Sequence, residues 1–451
     1  MPSLARGVRA TAAPVLAVTR AGLEAGAARM WSAQDAERWL LSLELFGMRF
    51  GLDRMLRLMT ALDAPHETFA AIHVVGTNGK SSTVRMIAAL LHHHGVHAGA
   101  YLSPHLVSFA ERIRVGGADI SSQQFAHAAA RARRAAELVD RTLDANDRVT
   151  QFEALTAAAY AQLAAAGVDV AVVEAGLGGR WDATNVIGAE IVVLTNVGLE
   201  HTRWLGPTVR DIAREKLAVV KRSHPPTTLV LGSDLHPGAE AEAQLVAERQ
   251  NATIVRAPAA PPAGIELGAR GAFQRRNFAV ACTAAEVYLG RLETAPLRAA
   301  AASTVVPGRF EVLGGAAGAA EVVLDGAHNA GGIEALAESL HGFLAGRPLV
   351  AVLSVLDDKD AAAMLAALLP LCAGAVFTVN ANPRALSPAT LASLAGQVGA
   401  PPITRVEADP RRAVALAGEL AGPRGVVLAT GSIYLVADLV RPDGAGRASS
   451  L

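Results

Sequence analysis

Short apolar runs alternate along the chain with longer stretches in which apolar residues recur every three or four positions. Residues 71–75, 168–174, 190–195 and 227–231 are runs of the first kind, each closing at Gly, Asn or an acidic residue. Continuous apolar runs separated by helical periodicity predict parallel strands covered on both faces. The approach to them is helical: Trp39, Leu40, Leu43 and Leu45, then residues 52–62, recur at mixed three- and four-residue spacings. A second series of strands is predicted at 321–324, 349–353, 375–379 and 426–429. Residues 257–264 read as a Pro/Ala-rich loop and 293–307 as irregular, so a boundary is placed near Pro296. The expected organisation is a disordered extension over 1–30, a large α/β domain over 31–296, a smaller one over 297–441, and a disordered tail over 442–451.

Composition narrows the partners. The chain has 451 residues, too many for one core. Lys+Arg and Asp+Glu are each 41, and zero net charge argues against duplex nucleic acid or an anionic membrane as partner. Hydrophobic residues make up 51% but aromatics only 4%, which suits packed α/β layers and not an all-β sandwich. Cys282 and Cys372 are too few for a disulfide framework and fit a reducing, cytoplasmic setting. Residues 361–379 carry no charge, yet Pro370 and Gly374 divide them into a helix and a strand, so no membrane span is expected. Arg6, Arg9, Arg20 and Arg29 lie among alanines as in a transit peptide, but no compact apolar region with a cleavage pattern follows.

The densest chemistry is Gly76-Thr77-Asn78-Gly79-Lys80-Ser81-Ser82-Thr83, between the strand ending at Val75 and an apolar helix over 84–91. Glycines let backbone N–H groups approach phosphate oxygens, the helix N-terminus adds partial positive charge, and Lys80 adds a full one. Val74 breaks the common G-x-x-x-x-G-K-[ST] spacing, so this is a shorter loop with the same mechanism. The fold class expected is α/β: an N-terminal P-loop ATPase-like domain with a mostly parallel sheet, plus a smaller C-terminal Rossmann-like α/β domain.

Gly-Thr-Asn-Gly-Lys resembles the nucleotide loop of the Mur ligase superfamily. Ser103-Pro104-His105-Leu106, Glu111-Arg112-Ile113-Arg114, Thr150-Gln151-Phe152-Glu153 and the block from Glu174 to Asn185 resemble, in order, the dihydrofolate synthase and folylpolyglutamate synthase family. So do Gly198-Leu199-Glu200-His201-Thr202, Arg214-Glu215-Lys216, Pro307-Gly308-Arg309-Phe310, Asp325-Gly326-Ala327-His328-Asn329 and Thr430-Gly431-Ser432. The resemblance implies an ATP-dependent amide-forming ligase in which ATP phosphorylates a carboxylate and an amine attacks the acyl phosphate. Its substrates would be L-glutamate with dihydropteroate or a reduced folate, in a monomer without nucleic-acid or membrane partners.

What the resemblance implies for single residues follows. Thr77, Asn78, Gly79, Lys80 and Ser81 would take the phosphates, Asn277 the adenine end, and Arg309 and Asp325 the ATP from the other domain. Ser103, Glu174 and His201 would hold magnesium, and a carbamylated Lys216 a second ion; one or two ions are expected. Magnesium favours oxygen ligands, so Ser103 and Glu174 also qualify on chemistry alone. Taken alone, His201 reads as a polar loop residue and residues 214–216 as an ordinary helical charge run. Thr150, Gln151, Phe152, Glu153, Trp181, Asp182 and Ala183 match the pterin segments, although Phe152 and Trp181 could equally be packing residues. His328 and Ser432 would lie near the incoming glutamate or the γ-phosphate. Lys80, Lys216, Arg309 and His328 are the expected catalytic set.

The chain departs from the pattern at Ser81 for Gly, Glu200 for Asp, Ala330 for Pro, and Gln151 for an aromatic residue, the last bearing on pterin selectivity. His92, His93, His94 and His97 point to different helix faces and are not read as a metal site. Arg131, Arg133 and Arg134 read as an exposed helix face. Two other functions fit part of the pattern: a peptidoglycan-precursor ligase of the same superfamily, and a nucleotide-dependent switch needing only the phosphate loop.

Overall fold

The computed structural model describes residues 31–43, 51–314 and 319–442. The expectations for 1–30 and for 443–451 lie outside the described residues. Two sheets organise the chain. The first comprises β1 (Ala70–Val75), β2 (Ala98–Tyr101), β3 (Ile113–Val115), β4 (Ala118–Asp119), β5 (Val170–Glu174), β6 (Ile191–Leu194), β7 (Thr228–Leu231) and β8 (Thr253–Arg256). Its order is β4-β3-β2-β5-β1-β6-β7-β8, parallel from β2 to β8, with β3 and β4 added antiparallel at one edge. Apart from His73 in β1 and Glu174 at the end of β5, the central strands are apolar because helices cover both faces.

The second sheet comprises β9 (Glu311–Leu313), β10 (Glu321–Leu324), β11 (Leu349–Leu353), β12 (Gly374–Phe377), β13 (Ile403–Val406) and β14 (Val426–Thr430). Its order is β13-β12-β11-β14-β10-β9, and only β9 is antiparallel. Both sheets match the expected fold class. Residues 361–379 resolve into helix Ala361–Leu368, a short turn Leu369–Leu371 and β12, as Pro370 and Gly374 implied. Among the described residues, no helix is long and apolar enough to cross a membrane.

The boundary near Pro296 needs correction. Pro296 stands in the first turn of helix Thr294–Ser303, where its missing N–H has no intrahelical partner to lose. Leu297, Ala300, Ala301 and Val306 join the core beneath the first sheet. We therefore divide the two units after Val306. The units then meet along a seam: Arg276 forms a double hydrogen bond with Glu338 at 3.0 and 2.7 Å, and Arg441 Nε donates to the Leu106 carbonyl at 2.8 Å.

Candidate active site

In a parallel sheet the carboxyl ends of neighbouring strands face one crevice. Here β2, β5, β1 and β6 lie side by side and deliver Ser103, Glu174, the phosphate loop and Asn196 to it. β1 runs straight into the loop, and helix Lys80–His93 starts at Gly79, whose φ of +81° suits glycine. A Cβ on Gly79 would meet Asn277 Oδ1 at 2.5 Å, so Asn277 sits directly against the loop. The loop is braced from β6: Asn78 N donates to Asn196 Oδ1 at 2.9 Å and Thr195 Oγ1 to the Asn78 carbonyl at 2.7 Å. Lys80 Nζ folds back to the carbonyls of Gly76 and Thr77, both at 3.0 Å.

Glu174 ends β5 fully inside the protein. Its Oε1 accepts from Ser81 Oγ at 2.8 Å and its Oε2 from Ser103 N at 3.0 Å. Burial raises its pKa, opposed by Lys80 and by both hydrogen bonds. Ser103 Oγ accepts from Arg112 Nη1 at 3.3 Å. Hydroxyl and carboxylate oxygens beside a phosphate loop fit magnesium chemically. Among the described residues, no three His, Cys, Asp or Glu side chains are arranged to hold a metal ion by themselves, so serine hydroxyls are needed to make up such a site.

His201 takes a left-handed backbone, φ 52°, which turns its ring toward Glu200, with Nε2 3.8 Å from Oε1. Burial, then Lys359, push its pKa down to about 4, so the ring is neutral and keeps a lone pair at neutral pH. Lys216 is buried and donates to the Gly76 carbonyl at 2.8 Å. Burial, then Lys80, push its pKa down to about 7.

The second unit closes the crevice. Asp325 follows β10, and its carboxylate accepts from Phe310 N at 2.8 Å and Ala327 N at 2.7 Å, fixing the turn that carries Arg309. Burial raises the Asp325 pKa, opposed by Arg309. His328 Nδ1 donates to the Gly326 carbonyl at 2.8 Å, leaving Nε2 3.3 Å from Glu200 Oε1. Lys359 Nζ approaches the same oxygen at 3.2 Å. Burial alone would raise the Glu200 pKa; His328, Lys359 and His201 outweigh it and hold the carboxyl well below its usual range.

One cavity of about 670 Å³ gathers these groups. It is lined by Thr77, Asn78, Gly79, Lys80, Ser81, Ser103, Glu174, His201, Lys216, Asn277, Arg309, Asp325 and His328, together with Glu200. The pterin candidates and Ser432 are not among its lining residues. Thr150 and Glu153 form the capping box of helix Gln151–Ala166, and Glu153 also pairs with buried Arg54 at 3.0 Å. Gln151 is buried and donates to the Leu40 carbonyl at 2.8 Å. Asp182 caps the turn Ala183–Val186 and accepts from Leu177 N at 2.7 Å, while Ala183 is buried. Ser432 caps helix Ile433–Val440. Phe152 packs against Tyr101 and under Gly176, next to the cavity, and Trp181 is exposed.

Sequence reasoning passed over Lys359 and Asn329 as site residues. Lys359 lies in the charged run Asp357-Asp358-Lys359-Asp360 just beyond β11, and that placement past a strand end was the available signal. Asn329 lay inside a quoted motif without an assigned task. Its side chain bonds Asn78 across the crevice.

Residues 74–257 match the Mur ligase middle domain, and residues 308–433 the Mur ligase glutamate ligase domain. The chain is 35% identical over 403 residues to the dihydrofolate synthase/folylpolyglutamate synthase of Mycobacterium tuberculosis, covering 82% of each. It is 32% identical over 432 residues to the Bacillus subtilis protein of the same name, covering 90% of this chain and 98% of that one. The solved Mycobacterium tuberculosis folylpolyglutamate synthase complexed with ADP superposes with a TM-score of 0.83 at 33% identity, over 90% of this chain and 97% of that one. The Escherichia coli enzyme in complex with DHPP and ADP superposes with a TM-score of 0.79 at 26% identity, over 90% and 96% of the two chains. With the phosphate loop, the buried carboxylates and both domains in the same order, this chain belongs to the dihydrofolate synthase/folylpolyglutamate synthase family and is an ATP-dependent, amide-forming ligase.

Proposed function

We propose that this folate glutamate ligase serves two acceptors, joining L-glutamate to dihydropteroate and adding further glutamates to reduced folates. The supporting observation is the single cavity in which Lys80, Glu174 and Lys216 of one unit face Arg309, Asp325 and His328 of the other. Carboxylates are poor electrophiles. An acceptor carboxylate oxygen attacks the γ-phosphorus of ATP and ADP leaves; the glutamate nitrogen then attacks the acyl carbon and phosphate leaves with the oxygen it gained. Such chemistry rests on positioning and charge neutralisation. Lys80 and the loop N–H groups hold the phosphates, Asn277 supports the loop toward the adenine end, and Arg309 stabilises the transferring group from the far wall.

Ser103, Glu174 and His201 are the side chains that would hold magnesium, which when bound would offset negative charge on the phosphate oxygens. Lys216, with its amine pushed toward the neutral form, is suited to take up carbon dioxide; the resulting carbamate would bring oxygens for a second ion. Phe152 and Trp181 are the aromatic side chains we assign to the pterin, with Thr150, Gln151, Glu153, Asp182 and Ala183 shaping that loop region and Ser432 the wall near the incoming glutamate. We read the enzyme as a cytoplasmic monomer; Cys282 and Cys372 are buried and free, which accords with a reducing compartment.

The experiment is purified protein with ATP, magnesium and labelled glutamate, offered dihydropteroate and tetrahydrofolate separately. Label should enter both acceptors, with ADP formed one for one. Glutamate-independent phosphate release without amide would contradict this function, and use of a cell-wall precursor instead would replace the acceptor.

A further inference from the structure

The seam between the units holds a second, smaller cavity beside the phosphate-loop helix, lined among others by Ser81, Arg85, Pro104, Glu111, Arg309 and Ile433. Ser81 and Arg85 stand four residues apart on helix Lys80–His93 and share its face. Arg85 is half-buried and makes no hydrogen bond or ion pair with any described side chain or carbonyl. Three carboxylates lie within electrostatic reach, and each is occupied elsewhere. Asp119 pairs with Arg114. Glu111 accepts from the backbone N–H groups of Leu106, Val107 and Ser108 at 2.9, 2.9 and 2.7 Å. Glu174 is held by Ser81 and Ser103. Arg309, on the opposite wall, donates among the described residues only to its neighbour's carbonyl, Gly308 O, at 3.1 Å. Burial, then repulsion by Arg114, push the Arg85 pKa down to about 10, which leaves it charged at neutral pH.

We propose that Arg85, across the seam from Arg309, binds the α-carboxylate of the terminal glutamate residue of a folate acceptor. A partly desolvated guanidinium without an acceptor is unfavourable, and its planar donors match a carboxylate. Spacing selects the ligand. Ser81 bonds Glu174 at the catalytic crevice, and Arg85 lies four residues, about 6 Å, further along the helix. The two carboxyl carbons of an extended glutamate are separated by about 5 Å from standard bond lengths. An acceptor whose γ-carboxylate reacts beside Ser81 therefore carries its α-carboxylate toward Arg85. Dihydropteroate has no such second carboxylate. The cavity thus distinguishes glutamylated acceptors from dihydropteroate within one active site, an inference that rests on the two-acceptor function above.

The test is steady-state kinetics of Arg85→Met and Arg85→Lys with dihydropteroate, tetrahydrofolate and a γ-glutamylated tetrahydrofolate. Arg85→Met should raise KM for both folates roughly tenfold or more, leave kcat nearly unchanged, and leave dihydropteroate kinetics as in the wild type; Arg85→Lys should recover part of the loss. The melting temperature of Arg85→Met should not fall, because an unpaired cation is removed. Equal losses on all acceptors, a lowered melting temperature, or no loss on the folates would overturn this role while the two-acceptor function stood. Wild-type protein inert toward tetrahydrofolate would overturn both.

Discussion

The side-chain amides of Asn78 and Asn329 bond each other in both directions, Asn78 Nδ2 to Asn329 Oδ1 at 3.1 Å and Asn329 Nδ2 to Asn78 Oδ1 at 2.9 Å. Asn78 is the tip of the phosphate loop, and Asn329 caps helix Ala330–Leu344 through Gly332 N at 2.8 Å. The second unit thus touches the ATP loop through the residue that starts its own helix, which couples loop geometry to approach of the two units.

Substitution at Asn329 should separate its two tasks. Asn329→Asp keeps the capping acceptor and loses the donor to Asn78; it should hold the melting temperature and raise KM for ATP several-fold. Asn329→Ala loses both and should also destabilise the protein by about 1 kcal/mol. Thermal melts beside ATP titrations decide it, and an unchanged KM in both variants would remove the coupling.

Lys216 gives a pH signature. Its pKa falls from 10.5 to about 7 on folding, so the charged amine is disfavoured in the native protein. The unfolded chain then binds more protons between about pH 7 and 10.5, and native stability contributed by this group rises with pH across that window. Wild type should gain stability there relative to Lys216→Met. Turnover in carbon dioxide-free buffer should fall and return on adding bicarbonate; activity indifferent to bicarbonate would speak against the carbamate.

His73 should report on acid. It is buried at the centre of β1 with Nε2 2.9 Å from Thr184 Oγ1, and burial, then Lys221, push its pKa down to about 3. Its stabilising contribution is full above about pH 6.5 and is lost as pH falls from 6.5 toward 3, where the unfolded chain alone takes the proton. His73→Gln should shift the acid-unfolding midpoint to lower pH. A midpoint that stays in place would assign acid lability to other groups.

Gly179 is packed against the backbone behind Lys216: a Cβ there would lie 2.5 Å from the Lys216 carbonyl oxygen and 2.7 Å from that of Glu215. Backbone cannot swing aside as a side chain can. Gly179→Ala should displace helix Val209–Leu217, lowering stability by roughly 1–3 kcal/mol and turnover with both acceptors together. Wild-type kinetics in this variant would show that the position of Lys216 is not critical.

Much of this was legible in the chain, and for physical reasons. The strands from 321 to 324 and 349 to 353 coincide with β10 and β11: β11 is short, apolar and buried throughout, and β10 ends on the buried pair Val323 and Leu324. β2, Ala98–Tyr101, was not predicted: Ala-Gly-Ala-Tyr has little β-branching, and it forms a strand because β5 and β3 bracket it. The phosphate loop announced itself by strand, glycine and helix in succession. Thr150 and Glu153 carry the same letters whether they cap a helix or meet a ligand, and only the fold displays the cap and the Arg54 partner. Lys359 and Glu200 lie 159 residues apart, a pairing that local pattern cannot express.

The central claim is that the acceptor carboxylate is activated by taking the terminal phosphoryl group of ATP. Dihydropteroate labelled with oxygen-18 in its carboxylate, incubated with ATP, magnesium and glutamate, allows a direct measurement by mass spectrometry of the released phosphate. One labelled oxygen should appear in each phosphate for every amide formed. Phosphate carrying no label, at a normal yield of amide, would contradict the mechanism.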